Sequence, residues 1–214
     1  MKRMMLLNKL QHVGVISVVR AESPEKAEKI AEAVLNGGVM GIELTYTVPH
    51  ADQVITDLVK KFAKTDAVIG AGTVLDATSA RLAIIAGADF IVSPTFDIAT
   101  AKMCNLYQVP YIPGVFTPTE AQLAMSYGSE VVKLFPGSLA TPGAIKELKG
   151  PFPYISVMPS GGVTSENLSD WFEAGALVVG AGSNLVGPAQ NNDFEGVTRN
   201  AQKYMVALRA IMRS

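Results

Sequence analysis

The sequence is short of most things that metal sites and disulfide scaffolds are made from. It has one cysteine, Cys104, so no disulfide can form within the chain, and a lone thiol fits a reducing compartment. It has two histidines, His12 and His50, too few for the several histidine ligands of a typical zinc-dependent aldolase. No metal and no cofactor is therefore expected. Charged residues make up only 17% and the formal net charge is −1. That leaves no global field to attract nucleic acid or an anionic membrane, and an anionic substrate would need a local site. No apolar run approaches a membrane span free of charge. The apolar start is interrupted by Asn8, Lys9, Gln11 and His12, unlike a signal peptide. The expectation is a cytoplasmic protein with no membrane and no nucleic-acid partner.

Apolar residues, at 49% of 214, are abundant enough to build a real core. They fall in eight short runs, beginning near Val13, Val39, Ala67, Asp89, Val109, Val131, Tyr154 and Leu177. Helix-like segments separate them at spacings of roughly 20–30 residues, near the lower limit of a βαβ unit. Small glycine-containing groups precede several runs: Gly37-Gly38, Ala86-Gly87-Ala88 and Ala174-Gly175-Ala176. Glycine just past a helix end is the usual left-handed cap. Helix starts are signalled at Ser23-Pro24, at Thr117-Pro118-Thr119-Glu120 and at Thr164-Ser165-Glu166-Asn167. A long amphipathic segment runs from Phe194 to Arg213. Eight alternating units predict a single (β/α)8 barrel over residues 1–214, preceded by a short N-terminal helix. A doubly wound sheet uses five or six strands and leaves two or three runs over.

Active sites of such barrels lie at the C-terminal ends of the strands, so polar residues there are the candidates. Lys133 sits in Val131-Val132-Lys133-Leu134-Phe135-Pro136. It is either a lysine on an exposed edge strand or, in a closed barrel, an inward amine among apolar neighbours. Desolvation disfavours an ammonium, and a neutral amine attacks carbonyls. In Gly41-Ile42-Glu43-Leu44-Thr45, alternation sets Glu43 and Thr45 on one face and Ile42 and Leu44 on the other. Glu43 is then either the ion-pair partner of Lys133 or its acid/base companion. Thr73 follows two glycines in Gly70-Ala71-Gly72-Thr73-Val74, where a ligand can approach backbone. The seventh and eighth runs end in Ser160-Gly161-Gly162-Val163 and Gly180-Ala181-Gly182-Ser183. Barrels often bind phosphate there; the alternative is two tight turns. Arg20, at the end of the first run, suits a carboxylate, a phosphate or a surface ion pair equally.

Taken together, these motifs resemble the 2-keto-3-deoxy-6-phosphogluconate (KDPG) / 4-hydroxy-2-oxoglutarate (KHG) aldolase family. The likeness rests on the stretches around Glu43, Thr73 and Lys133, on Phe90-Ile91-Val92-Ser93-Pro94, on Tyr111-Ile112-Pro113-Gly114-Val115 and on Ser160-Gly161-Gly162. It implies a class I aldolase that cleaves KDPG to pyruvate and glyceraldehyde 3-phosphate, and 4-hydroxy-2-oxoglutarate to pyruvate and glyoxylate. Lys133 would form the Schiff base and Glu43 would move protons. Thr73, Pro94 and Phe135 would cradle the keto acid, and Gly161, Gly162, Gly182 and Ser183 would hold a phosphate. The resemblance also implies a homotrimer. One position departs: Thr47 stands where many members carry arginine, and Arg20 would supply the missing charge. The galactonate-derived phosphate is thus an alternative substrate. Another phosphate-binding barrel enzyme, or a sugar-phosphate binder without catalysis, would share the glycine-rich exits but need no imine-forming lysine.

Overall fold

The eight apolar runs all enter parallel pairing, most of them two residues later than the sequence suggests. The computed structural model describes residues 1–212; Arg213, expected as the end of the last helix, lies outside them. The strands are β1 Val15–Val19, β2 Gly41–Thr45, β3 Val68–Gly72, β4 Ile91–Val92, β5 Tyr111–Ile112, β6 Gly114–Val115, β7 Val131–Leu134, β8 Ser156–Pro159 and β9 Val179–Ala181. The delay has a physical cause. Glycine caps at positive φ, such as Gly38 (φ 94°) and Gly87 (φ 99°), turn the chain back. A buried residue such as Val39 is then spent reaching the sheet before pairing begins. Pro113 divides the fifth run into β5 and β6 because it has no N–H to donate.

The helices are α1 Lys2–Val13, α2 Pro24–Asn36, α3 Ala51–Lys61, α4 Ala77–Ala86, α5 Ile98–Tyr107, α6 Pro118–Ser126, α7 Gly143–Lys149, α8 Leu168–Glu173, α9 Ser183–Val186 and α10 Phe194–Ile211. Ser23 caps α2, and Thr117 with Glu120 closes a full capping box on α6. The third expected start is displaced: α8 begins at Leu168, not near Thr164. Thr164 and Asn167 instead bond each other's backbone amides, at 2.8 and 3.2 Å, and close a turn ahead of the helix.

The fold is α/β, with a strongly curled parallel sheet. Six strands run in the order β5-β4-β3-β2-β1-β9 and three in the order β6-β7-β8. An isolated bridge links Ser160 to Gly180, and the Leu177 amide donates to Val157 at 2.9 Å. The convex face packs under the helices in the larger core, which includes Ile42, Leu44, Val132 and Leu134. The concave face carries a second cluster of Ile16, Val68, Phe90, Val92, Ile112, Val131, Met158 and Val178. Leu10 and Val13 of α1 join that inner cluster, so α1 plugs the end where the strands begin. Gly70 completes it by omission: a methyl there would overlap the Phe90 ring. Filling one end with apolar side chains, each worth about 1.5–3 kcal/mol when buried, leaves the strand exits as the end free to carry polar groups.

Candidate active site

Two charged side chains meet above the inner cluster. In β7 the apolar Val132 and Leu134 belong to the helix-covered core, while Lys133 takes the concave face with Val131. β7 is paired on both sides, with β6 and β8, which rules out the edge-strand reading of Lys133. Its ammonium lies 3.5 Å from Glu43 Oε1, with the lysine 5% and the glutamate 0% exposed. At that separation the pair is loose. Glu43 Oε2 is buried and has no hydrogen-bond partner among the described residues. A buried acceptor costs free energy unless a donor, from solvent or substrate, comes to meet it. The Phe135 ring lies beside the amine, its centroid 5.1 Å from Nζ. The Pro94 carbonyl sits where a side chain at Gly114 would be, so Pro94 packs closely on the neighbouring strand exit.

A line of hydroxyls runs from this pair to the rim. Thr45 is fully buried and donates to the Val19 carbonyl at 3.0 Å. Its single proton is then used, so at their 2.8 Å contact Thr47 donates to Thr45. Thr47 Oγ1 is left to accept from Arg20 Nη1 at 3.2 Å, and Arg20 Nη2 donates to Thr73 Oγ1 at 3.2 Å. Among the described residues Arg20 makes no ion pair; it bridges the exits of β1, β2 and β3 through Thr47 and Thr73. Thr73 holds φ at 55°, a left-handed conformation uncommon for a β-branched residue and characteristic of functional sites.

The glycine-rich exits follow β8 and β9, and β9 pairs with β1, whose exit carries Arg20. Gly161 and Gly162 have φ of 95° and 75°, which glycine alone adopts without penalty. The loop's carbonyls are pinned: Asn167 donates to Gly162 at 2.9 Å, and Asn184 and Tyr204 both donate to Val163, at 3.0 and 2.8 Å. Gly182 precedes α9, whose first residue is Ser183. Gly182, Ser183, Arg20 and Val18 line a cavity of about 470 Å³. Lys133 and Glu43 are not among its walls; the register pairing of Val18 with Glu43 joins the two. Among the described residues no cluster of three or more His, Cys, Asp or Glu could hold a metal ion. Sequence reasoning missed Thr45, although alternation placed it beside Glu43, and missed the anchors Asn167, Asn184 and Tyr204.

A family model described as KDPG and KHG aldolase matches residues 6–200. The chain belongs to the KDPG and KHG aldolase family. Family membership makes it an aldolase, a lyase. The chain is 35% identical over 91% of its length to a 2-dehydro-3-deoxy-phosphogluconate aldolase of Treponema pallidum, covering 93% of that protein. It is 33% identical over 92% of its length to a 2-dehydro-3-deoxy-6-phosphogalactonate aldolase of Escherichia coli, again covering 93% of it. A solved structure of the KDPG aldolase of Legionella pneumophila, with pyruvate captured as a covalent carbinolamine, superimposes with a TM-score of 0.81 at 27% identity. That match covers 92% of this chain and 96% of the other. Among the described residues, no helix of this aldolase is long and apolar enough to cross a membrane.

Proposed function

We propose that this chain is a class I aldolase cleaving KDPG to pyruvate and glyceraldehyde 3-phosphate, with Lys133 as the imine-forming residue. One observation carries the reading: a buried amine stands 3.5 Å from a fully buried carboxylate that keeps one oxygen unpartnered. The neutral amine of Lys133 adds to the C2 ketone, and loss of water gives an iminium. Glu43, directly or through water, takes the proton of the C4 hydroxyl. The C3–C4 bond breaks, its electrons pass to the iminium, and the aldehyde leaves. The enamine that remains takes a proton at its terminal carbon, and water releases pyruvate and the free amine. An acid/base so placed contributes about 10²–10⁴-fold. Thr73, Pro94 and Phe135 cradle the keto acid. Arg20, held by Thr47 and Thr73, faces the substrate's anionic groups, and Gly161, Gly162, Gly182 and Ser183 take the phosphate. No metal and no cofactor enters these steps.

The same reading takes the whole chain as one closed (β/α)8 barrel, with β5 and β6 as one strand. The Ser160–Gly180 bridge and the Leu177–Val157 bond support closure. It also takes the protein as a cytoplasmic homotrimer. Leu82, Ile85, Leu106 and Leu123 of α4, α5 and α6 are exposed apolar side chains, a surface suited to self-association. A second substrate, the galactonate-derived phosphate, is favoured by the similarity to the Escherichia coli relative of that name, and 4-hydroxy-2-oxoglutarate is the unphosphorylated alternative.

The test is borohydride reduction in the presence of pyruvate, followed by peptide mass mapping. The adduct is expected on Lys133 alone. Lys133→Arg should fold, stay charged and lose turnover, because a guanidinium forms no imine. An adduct elsewhere, or none, would overturn the assignment. Comparing kcat/KM for the gluconate- and galactonate-derived substrates decides between the two sugar acids.

A further inference from the structure

Both glycine-rich exits are tied to the last helix. Asn200 and Tyr204 of α10 stand about one helical turn apart, a spacing that puts two side chains on one helix face. The Tyr204 hydroxyl is buried and donates to the Val163 carbonyl at 2.8 Å, in the loop that follows β8. Asn200 Nδ2 donates to the Leu185 carbonyl at 3.2 Å and to the Asn184 carbonyl at 3.4 Å, in α9, which follows β9. Asn184 joins the two exits directly, because its own Nδ2 donates to the Val163 carbonyl at 3.0 Å. Val163 thus accepts from Tyr204 and Asn184 together, which uses both lone pairs of its oxygen.

Holding a carbonyl aims an amide, since in a trans peptide plane the N–H points away from the C=O of the same unit. Asn167 holds the Gly162 carbonyl at 2.9 Å and so aims the Val163 N–H, which has no acceptor among the described residues. The Val163 carbonyl, held twice, fixes the next plane, whose Thr164 N–H goes to Asn167 Oδ1 at 2.8 Å. Asn184, Asn200 and Tyr204 line a small polar cavity of about 170 Å³. It shares no wall residue with the cavity lined by Gly182 and Ser183, so these three side chains act on the exits from behind.

We infer that Tyr204 and Asn184 are positioning residues for the phosphate end of the substrate. Through Val163 they hold the two glycine-rich exits at one spacing and one tilt, with α10 as the shared support. The inference rests on the reading that Gly161, Gly162, Gly182 and Ser183 take the phosphate. It adds that the strength of that grip is set outside the exits, by donors that do not touch the ligand. A loop already held in its binding conformation loses less freedom when the ligand arrives, and so binds more tightly.

The test is condensation of pyruvate with glyceraldehyde 3-phosphate and with glyceraldehyde, which differ only in the phosphate. The intact protein should favour the phosphorylated aldehyde in kcat/KM. Tyr204→Phe keeps the ring and removes one donor. It should cut that preference roughly three- to tenfold, the size of one buried hydrogen bond, through KM for glyceraldehyde 3-phosphate and with kcat little changed. Asn184→Ala should do the same, and it decides the matter if Tyr204→Phe does not fold. Leu208→Ala, buried on the same helix, is the control for a merely structural role. It should lower the melting temperature by leaving a cavity and keep the preference. If the intact protein does not favour the phosphorylated aldehyde, the phosphate reading falls and the inference with it. If the preference is present but survives in the folded variants at Tyr204 and Asn184, or falls as much in Leu208→Ala, the positioning role alone is overturned.

Discussion

The carboxylate of Glu43 occupies the space that a side chain at Gly72 would fill. A methyl built on Gly72 overlaps the Glu43 carboxylate and Cγ, so glycine at this strand exit is what lets Glu43 lie beside Lys133. Gly72→Ala should push Glu43 off its place. The cost of overpacking is about 1–3 kcal/mol of stability, and a shift near 1 Å at a reacting group can lower the rate about a hundredfold. Gly70→Ala is the control, because it meets the Phe90 ring instead and should lose stability with a much smaller loss of kcat. Thermal denaturation and steady-state cleavage of KDPG check both. Near-normal turnover in Gly72→Ala would show that this glycine is not needed to place Glu43.

The hydroxyl line predicts a binding effect at Thr47. Thr45 spends its proton on Val19 and Thr47 spends its own on Thr45, so Thr47 can only accept from Arg20. Thr47→Val leaves the guanidinium short of one acceptor at an exposed position. KM should rise roughly three- to tenfold with kcat little changed, the scale of one partly screened hydrogen bond to a charged group. Thr47→Ser should restore it. A fall in kcat without a change in KM would place Thr47 in the chemistry instead.

Much of this site was legible because strand alternation is strict. Glu43 and Lys133 stand out as charges on the face opposite Ile42, Leu44, Val132 and Leu134, and the helices cover that apolar face. What the sequence could not show is which exits become neighbours. Arg20 reaches Thr73 across 53 residues, and Tyr204 anchors Val163 across 41; neither has a local signal. Glycine caps are visible in the sequence, but the residues each turn consumes before pairing are not, which is why most strands begin late. The cavity beside Arg20 was hidden for a different reason. Its wall brings together the exit of β1, the first turn of α2 and the short helical turns after Gly182, which lie far apart in the sequence.

The α6 capping box predicts a pH-dependent contribution to stability. The Glu120 carboxylate accepts from the Phe116 and Thr117 amides at 2.8 and 2.9 Å, and these bonds hold its pKa below the ordinary 4.5. A carboxyl whose folded pKa is depressed adds stability above its unfolded value, and that stability is lost as pH falls through the folded one. Glu120→Gln should therefore lower the melting temperature at neutral pH, by an amount reflecting about 1 kcal/mol for a helix cap. The difference should shrink as pH drops below about 4. A difference that persists undiminished into acid would show that shape, not charge, makes the cap.

Whether Glu43 moves protons or only balances Lys133 cannot be read from their separation, since both roles require the two to be close. Oε2, buried and without a partner among the described residues, is open to a substrate hydroxyl or a water, as a shuttle requires. Glu43→Gln keeps the shape and removes the base. If Glu43 is the shuttle, this variant should still trap pyruvate with borohydride while losing most proton exchange at the pyruvate methyl group and most aldol cleavage, by about 10²–10⁴-fold. If Glu43 is only a counter-charge, the variant should change how imine formation depends on pH and keep exchange once the imine has formed. Overall rate is a poor readout, because removing a neighbouring carboxylate also favours the neutral amine and can speed imine formation near neutral pH. Methyl exchange follows the enamine step alone, after that effect has acted. Near-normal exchange in Glu43→Gln would refute the shuttle role and leave Lys133 as the one residue of the pair that the chemistry needs.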